Sequence, residues 1–364
     1  MKFSIWQCLV CTLLFAFLLN GCGYKEVDKR SFATSIGIDK GSEDHRFKVS
    51  VKLAIPQSEA EKVAEEFQLI TKEADMLSEA VQQIAAEVEK TLDFGHVKVI
   101  VLGEQLKAED IFVVKDWLQR RRDIQNISFV SLGKPSAEEV LAFKSRGENI
   151  PANALILAMD YVGSESQYIL TQHLFEFSSK IEETGLDPVL PLIEIKNDTY
   201  NINQAVVFKH HHNDMLLSPE ETRYLHLLTN GLKEGAFKTE HEETMLMMSI
   251  DKAAARISLE ADDRALIKVD VKGKVEEQSS PKLIQSADLS KIAESMEEKI
   301  KNDLTDLVEK LQDNAVDPLG FGLKYRARHW NSTKTEEEEW KRLYPELKYQ
   351  INVDVDLKAP AVIR

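Results

Sequence analysis

The feature that most constrains this chain is its first segment, an apolar run from Ile5 to Leu19 behind a single basic residue, Lys2. A basic start, an apolar stretch of about 15 residues and a small residue before the cut are typical of a secretory signal. The run is shorter than the roughly 20 apolar residues that a membrane-spanning helix needs. The sequence therefore predicts that residues 1–21 are a leader and that the rest of the chain is exported.

The leader ends in Leu19-Asn20-Gly21-Cys22, which looks like a bacterial lipobox. There the chain is cut after Gly21, the thiol of Cys22 takes a diacylglycerol and its new amino group is acylated. No cysteine follows Cys22, which leaves no disulfide framework, and Cys8 and Cys11 leave with the leader. Lipidation predicts a domain anchored on the outer face of a membrane. The alternatives are a plain signal peptide or an uncleaved anchor.

Composition limits the number of domains and the classes of partner. A chain of 364 residues with 43% hydrophobic residues exceeds one ordinary core and suggests two or three domains. The formal net charge of −15 disfavours nucleic acid and anionic lipid headgroups as partners. No second apolar run is long enough to span a bilayer.

Hydrophobic periodicity predicts alternating strands and helices in the first half of the mature chain. Apolar residues alternate from Phe47 to Ile55, as in a half-buried strand, and recur at helical spacing from Glu73 to Thr91. Val97 to Leu102 is a continuous apolar strand. Ser136 opens a capping box and a further helix. This alternation is typical of a layered sheet covered by helices.

The second half has longer elements and clear helix signals. Ser218-Pro219-Glu220-Glu221 predicts a capped helix that ends at Gly231. Asp288 to Gln312 carries the longest apolar stripe. The remaining strands, three in a meander and one at the end, are predicted at Thr244 to Ile250, Ala254 to Glu260, Arg264 to Val275 and Tyr349 to Leu357.

These elements predict a multi-domain α+β (mixed α/β) fold. After the leader and a tether at 22–31, we expect an N-terminal domain at 32–198 with a mixed sheet and helices. A middle domain at 199–280 would hold a hairpin, a helix and the meander. A C-terminal domain at 281–364 would hold the long helix, short helices and the last strand.

Two histidine sites are the most ligand-like features. His210-His211-His212 with Asp214 has the side chains that bind Zn, Ni or Cu. Neighbours on a strand point to opposite faces, so adventitious binding at an exposed hairpin is favoured over a specific metal site, and none is predicted. His96 lies at the mouth of a strand, where α/β folds place ligand groups, but a turn histidine with satisfied hydrogen bonds is the favoured interpretation.

Motifs for catalysis are missing from the sequence. It has no Gly-x-Ser-x-Gly, His-Glu-x-x-His or phosphate-binding loop, so no catalytic residue and no enzymatic activity are predicted. Arg120 to Asp123 could dock an acidic partner or simply complement a helix C-terminus. Gly320-Phe321-Gly322 with Trp330 and Trp340 could bind a partner, but core packing is favoured.

Read together, the mature chain resembles the Ger(x)C family, the lipoprotein C subunits of spore nutrient germinant receptors. The order and spacing of its segments, over nearly the whole mature chain, carry the resemblance. Those segments are the lipobox followed by Ile36-Gly37-Ile38-Asp39-Lys40; Phe94 to Glu104 with Arg121, Arg122 and Asp123; Asp187 to Pro191 with Ala205 to Phe208 and Ser218 to Arg223; and Asp317 to Gly322 with Trp330 and Trp340.

The resemblance implies a three-domain lipoprotein on the outer leaflet of the spore's inner membrane. There it would assemble with an integral-membrane A subunit and a permease-like B subunit, without a cofactor or chemistry of its own. The chain departs from the family pattern at Cys22-Gly23-Tyr24, at Gln204 and in the histidine-rich tip from Lys209 to Asp214.

A second hypothesis belongs to another class, an extracytoplasmic lipoprotein that captures a small molecule directly. Such a protein needs a deep cleft with convergent polar groups. The sequence alone shows no such cleft, and it indicates neither the nutrient sensed nor the surface that contacts partners.

Overall fold

Two β-sheets, each covered by helices, organise the described part of the chain. The structure is a computed structural model that describes Trp6 and residues 27–55, 67–144, 151–162, 166–208, 215–280, 288–329 and 333–358. The described residues do not include Cys22, Trp330 or the segment from Lys209 to Asp214. The predictions made for these residues therefore stay predictions.

The first sheet has nine strands and forms the N-terminal domain. Its order is β3-β2-β1-β5-β6-β7-β8-β9, with β4 paired to β1. The strands are β1 (Arg30–Lys40), β2 (Phe47–Ala54), β3 (Phe67–Ala74), β4 (Thr91–Asp93), β5 (Val99–Gly103), β6 (Phe129–Lys134), β7 (Val189–Lys196), β8 (Thr199–Val207) and β9 (Met215–Leu216).

The centre of this sheet is parallel and its edges are antiparallel. The strands β1, β5, β6 and β7 run parallel, whereas β2, β3, β8 and β9 add antiparallel edges. All five residues of β5 are buried, as expected for a parallel strand with both faces covered. The covering helices are α1 (Leu77–Glu87), α2 (Ala108–Arg120), α3 (Ala137–Ala142), α4 (Pro151–Leu157) and α5 (Leu174–Glu182), with a π-helical turn at Ala158–Val162.

The second sheet has four strands and forms the core of the C-terminal domain. It comprises β10 (Gly235–His241), β11 (Thr244–Ala261), β12 (Arg264–Gln278) and β13 (Lys348–Lys358). The long helix α7 (Leu289–Asp313) packs on it, with every third or fourth side chain buried as the sequence predicts. The other helices are α6 (Pro219–Asn230), α8 (Phe321–Arg326) and α9 (Thr333–Leu343).

The α+β class predicted from the sequence is confirmed, and so is the capped start of α6. The Ser218 side chain accepts a hydrogen bond from the Glu221 amide, and the Glu221 carboxylate accepts one from the Ser218 amide. Pro219 begins the helix, and Gly231 follows it with φ of 74°. The predicted strands at Thr244 and Ala254 are one continuous strand, β11.

The sheets do not divide where the predicted domain boundaries lie. The boundary after residue 198 falls in the turn between β7 and β8, which are hydrogen-bonded partners in the first sheet. The boundary after residue 280 separates β12 from β13, which pair in parallel over their whole common length. Backbone hydrogen bonds and one shared apolar core therefore unite the expected middle and C-terminal domains.

The described parts of the chain contain no helix that could cross a membrane. Within those ranges, no helix combines the length and apolar character that a bilayer span requires.

Candidate functional site at the domain junction

The two domains meet through two short segments that are far apart in the sequence. Residues 183–188 connect α5 to β7, and residues 314–320 connect α7 to α8. The Asp187 amide donates to the Asp317 carbonyl at 3.0 Å, and the Asp317 amide donates to Asp187 Oδ2 at 2.5 Å. The Leu323 amide donates to the Gly185 carbonyl at 3.1 Å. Backbone contacts therefore fix this junction.

Two glycines allow the backbones to approach this closely. A β-carbon on Gly322 would lie 2.5 Å from Gly185 Cα and 2.7 Å from Trp340 Nε1. Gly185 also has φ of +87°, a conformation that a side chain disfavours. The sequences of the two segments, 184–188 and 320–322, indicate turns. They do not indicate that the two turns contact each other.

Asp317 is the most perturbed acid at the junction. Its side chain is 4% exposed and accepts hydrogen bonds from the Phe321 amide at 3.1 Å and the Gly322 amide at 2.7 Å. Burial raises the pKa of Asp317 to about 7, and the nearby charge of Asp187 acts in the same direction. Asp317 therefore caps α8 from within the fold.

Arg326 adds a polar clamp across the same junction. Its Nη1 donates to Glu183 Oε1 at 2.5 Å and to the Thr184 carbonyl at 2.8 Å. Its Nε lies 3.3 Å from Glu336 Oε2, on α9. One cation therefore joins the end of α5 to two elements of the C-terminal domain.

A cavity of about 570 Å³ lies beside these contacts and is shared by both domains. Its apolar lining includes Phe112, Ile181, Trp340 and Tyr344, of which the last three are buried. The charged residues of its lining are Glu182, Asp187, Asp317, Glu337 and Lys341. Sequence reasoning missed this cavity, because α2, α5 and α9 form its walls only after both domains have docked.

Two of the acids in the lining have lysine partners. Lys115 Nζ pairs with Glu182, and Lys341 Nζ lies 2.5 Å from Glu337 Oε1. Asp187 and Asp317 accept hydrogen bonds from backbone amides of the junction. The lining is therefore partly apolar and holds four acidic residues and one basic residue.

The other family-like segments have structural roles. Asp39 is 6% exposed and accepts hydrogen bonds from the Ala137 and Glu138 amides, at 2.7 and 2.9 Å, at the start of α3. A β-carbon on Gly103 would lie 2.0 Å from Asp39 Oδ1. Burial raises the pKa of Asp39. This acid thus binds the sheet to α3.

The predicted basic cluster and His96 lie at one end of the first sheet. Arg120 pairs with Asp116 at 2.8 Å, and Arg121 pairs with Asp123 at 2.5 Å. The Arg121 guanidinium also lies 4.4 Å from the centre of the Phe94 ring. His96 is exposed, with its ring centroid 4.6 Å from that of Phe32. His96 does not join the junction cavity.

The aromatic residues near residue 320 behave as core. Phe321 is fully buried and Trp340 is 5% exposed, so the favoured interpretation, core packing, is confirmed for these two. Among the residues that the structure describes, no three His, Cys, Asp or Glu side chains converge in a way that could hold a metal ion.

Comparison with known proteins identifies the family. Residues 23–195 match the family model described as "Spore germination protein N-terminal domain", and residues 203–360 match "Spore germination B3/ GerAC like, C-terminal". The chain therefore belongs to the Ger(x)C family of spore germination proteins.

Individual relatives are distant but match over long stretches. "Putative spore germination protein YfkR" of Bacillus subtilis (strain 168) is 21% identical, covering 100% of this chain and 98% of its own length. "Spore germination protein KC" of the same organism is also 21% identical, covering 98% of this chain and 95% of its own length. "Spore germination protein GerQC" of Bacillus cereus is 21% identical, covering 74% of this chain and 76% of its own length.

A solved structure supports the fold. The chain is similar to the crystal structure of the GerBC protein, with a TM-score of 0.58 and 18% identity. The likeness covers 88% of this chain and 96% of that one.

Proposed function

We propose that this chain is a lipid-anchored, non-catalytic subunit of a spore nutrient germinant receptor. It would assemble with an integral-membrane A subunit and a permease-like B subunit on the outer face of the spore's inner membrane. The observation that carries the proposal is the succession of both family domains, from residue 23 to residue 360, directly behind the lipobox.

The position of the lipobox supports anchoring through Cys22. The segment from Cys22 to Arg30 reaches at most about 28 Å even when extended, so the start of β1 stays close to the lipid. Because β1, β5 and β6 are parallel, their starts share one edge of the sheet. The exposed side chains of Ile127 and Phe175 lie at the same edge, and the Phe175 amide donates to the Asn126 carbonyl.

The roles of the family-like residues support a non-catalytic subunit. Asp39, Asp187 and Asp317 each accept backbone amides. Gly103 and Gly322 provide clearance for close contacts. These segments are therefore explained by packing and domain docking, which a subunit of an assembly needs in order to present a fixed surface.

The experiment compares spores that carry the intact chain, a deletion, Cys22→Ala and Cys8→Ala. Cys8 is the matched control because it leaves with the leader. We expect Cys22→Ala to shift the protein out of the membrane fraction and to weaken germination with the nutrient class that also fails in the deletion. Cys8→Ala should behave as wild type. Normal germination by fully unlipidated protein would contradict the anchoring role, and an unaffected deletion would contradict the receptor role.

A further inference from the structure

We propose that the cavity at the domain junction is a binding site for a small uncharged molecule with an aromatic ring. This site goes beyond the proposed receptor function. It would remain valid if the chain proved to act elsewhere, because it rests only on the geometry of the folded chain.

The size and position of the cavity fit a small ligand. At about 570 Å³ it lies within the range of roughly 300–1,000 Å³ that is typical of small-molecule sites. Such sites occur preferentially between domains, and the walls of this one come from α2 and α5 on one side and α9 on the other. The exposed side chains of Glu182 and Lys341 belong to the same lining, so a ligand can reach the cavity from that side.

The apolar part of the lining is aromatic and held in place. The ring centroids of Trp340 and Tyr344 are 5.4 Å apart. The Tyr344 hydroxyl donates to the Val316 carbonyl at 2.6 Å, which holds that ring. Phe112 adds a third ring from the other domain, and this large apolar side chain is 37% exposed. An aromatic ligand would bury that exposed surface and contact rings of both domains.

The four acids of the lining do not need a ligand, because they have partners within the fold. Glu182 and Glu337 pair with lysines. Asp187 and Asp317 accept hydrogen bonds from backbone amides of the junction. What the lining leaves for a ligand is therefore its aromatic and apolar surface.

This surface favours an uncharged ligand. An ion that leaves water for an apolar site loses much more solvation free energy than a neutral molecule, unless a paired group replaces the water. The Lys341 ammonium already pairs with Glu337 and is not needed by a ligand. At pH 6 the Asp317 side chain is also mostly uncharged, because burial raises its pKa to about 7. A neutral aromatic molecule therefore matches the lining best.

The test uses three probes of similar shape and different charge: 2-phenylethanol, 2-phenylethylammonium and 3-phenylpropionate. Each is titrated calorimetrically at about pH 6 into the full chain in phospholipid nanodiscs, and the heat of titration into empty nanodiscs is subtracted. We expect saturable binding of 2-phenylethanol with a Kd at least about tenfold lower than that of either charged probe. No saturable binding of 2-phenylethanol, or a smaller advantage over either charged probe, would overturn the proposal.

Variants locate the binding. Phe112→Ala removes one ring of the lining and should weaken the binding of 2-phenylethanol several-fold. Val113→Ala, on the same helix and similarly exposed but outside the lining, is the matched control and should bind as wild type. Thr184→Trp fills the cavity and should abolish binding. Its junction contact with Arg326 uses the backbone carbonyl, so that contact is kept.

A folding control keeps the result decisive. Circular dichroism and thermal unfolding identify any variant that fails to fold, and the comparison of Phe112→Ala with Val113→Ala decides alone if Thr184→Trp does not fold. Wild-type affinity in either folded lining variant, or equal weakening in Phe112→Ala and Val113→Ala, would refute the assignment to this cavity.

The binding site and the receptor function fail separately. If 2-phenylethanol does not bind while nutrient germination still depends on the chain, this site is overturned and the receptor function stays intact. If it binds in the cavity while a deletion leaves germination normal, the site is supported and the receptor function is contradicted.

Discussion

Asp317→Asn is expected to change how the stability of this protein depends on pH. In the folded chain burial raises the pKa of Asp317 from its ordinary value of 3.8 to about 7. Between pH 3.8 and pH 7, Asp317 is therefore mostly protonated in the folded chain and mostly ionised in the unfolded chain. The stability from this group is fully present below pH 3.8 and is lost as the pH rises through 7.

The size of the effect follows from the shift. Each pKa unit corresponds to about 1.4 kcal/mol, so moving from pH 5 to pH 8 should cost the wild type about 3 kcal/mol through this side chain. Asn is neutral at both pH values and escapes that loss. Its amide oxygen still accepts a hydrogen bond from the α8 backbone, although one of the two amide contacts is weakened.

The assay is urea unfolding of the full chain in neutral detergent, followed by tryptophan fluorescence at pH 5 and pH 8. Asp317→Asn should be the less stable protein at pH 5, and the difference should shrink or reverse at pH 8. The difference in unfolding free energy between the two proteins is compared at the two pH values. The many other carboxylates of the chain contribute equally to both proteins and therefore cancel. Parallel pH profiles for the two proteins would refute the reasoning, since they would mean that Asp317 titrates normally.

Two further substitutions test the close contacts. Gly322→Ala places a methyl group against the Gly185 backbone and should lower the free energy of unfolding in urea by about 3 kcal/mol. Gly235→Ala, which meets the side chain of Gln167, should lower it much less, and equal losses would contradict the steric argument. Asp39→Ala leaves two amides of α3 without their acceptor and should lower the stability by about 3 kcal/mol in thermal unfolding. The exposed Glu43→Ala is its control and should be near neutral, and a near-neutral Asp39→Ala would show that water replaces the carboxylate.

Local signals in the sequence predicted the elements whose burial follows one repeating pattern. The stripe on α7 was readable because Ile292, Met296, Ile300 and Leu304 recur at helical spacing and all face one core. The capping residues of α6 were readable because they act within four residues of one another. The alternation of apolar residues in β2 gave its position, but the expected half-burial was wrong, because Ser50 and Lys52 on its polar face are also buried.

Contacts between distant segments were not readable. The strand β3 was missed because it is an edge strand in which only Ile70 and Ala74 are buried, so its apolar pattern is weak. The cavity at the junction depends on Gly185 meeting Gly322, a contact that neither local sequence encodes. The sequence marked Asp187 and Asp317 only through their family-like surroundings, since an acid reveals its raised pKa only when its burial is known.

The parallel pairing of β13 with β12 has a consequence for the order of assembly. The last strand completes a sheet whose other members precede α7, and Val355 on it donates a backbone hydrogen bond to Glu297 of that helix. During synthesis the N-terminal domain can close once residue 216 has emerged. The C-terminal domain must wait for residues near 358. A premature stop late in the reading frame therefore removes the closing strand of a whole domain, not a dispensable tail.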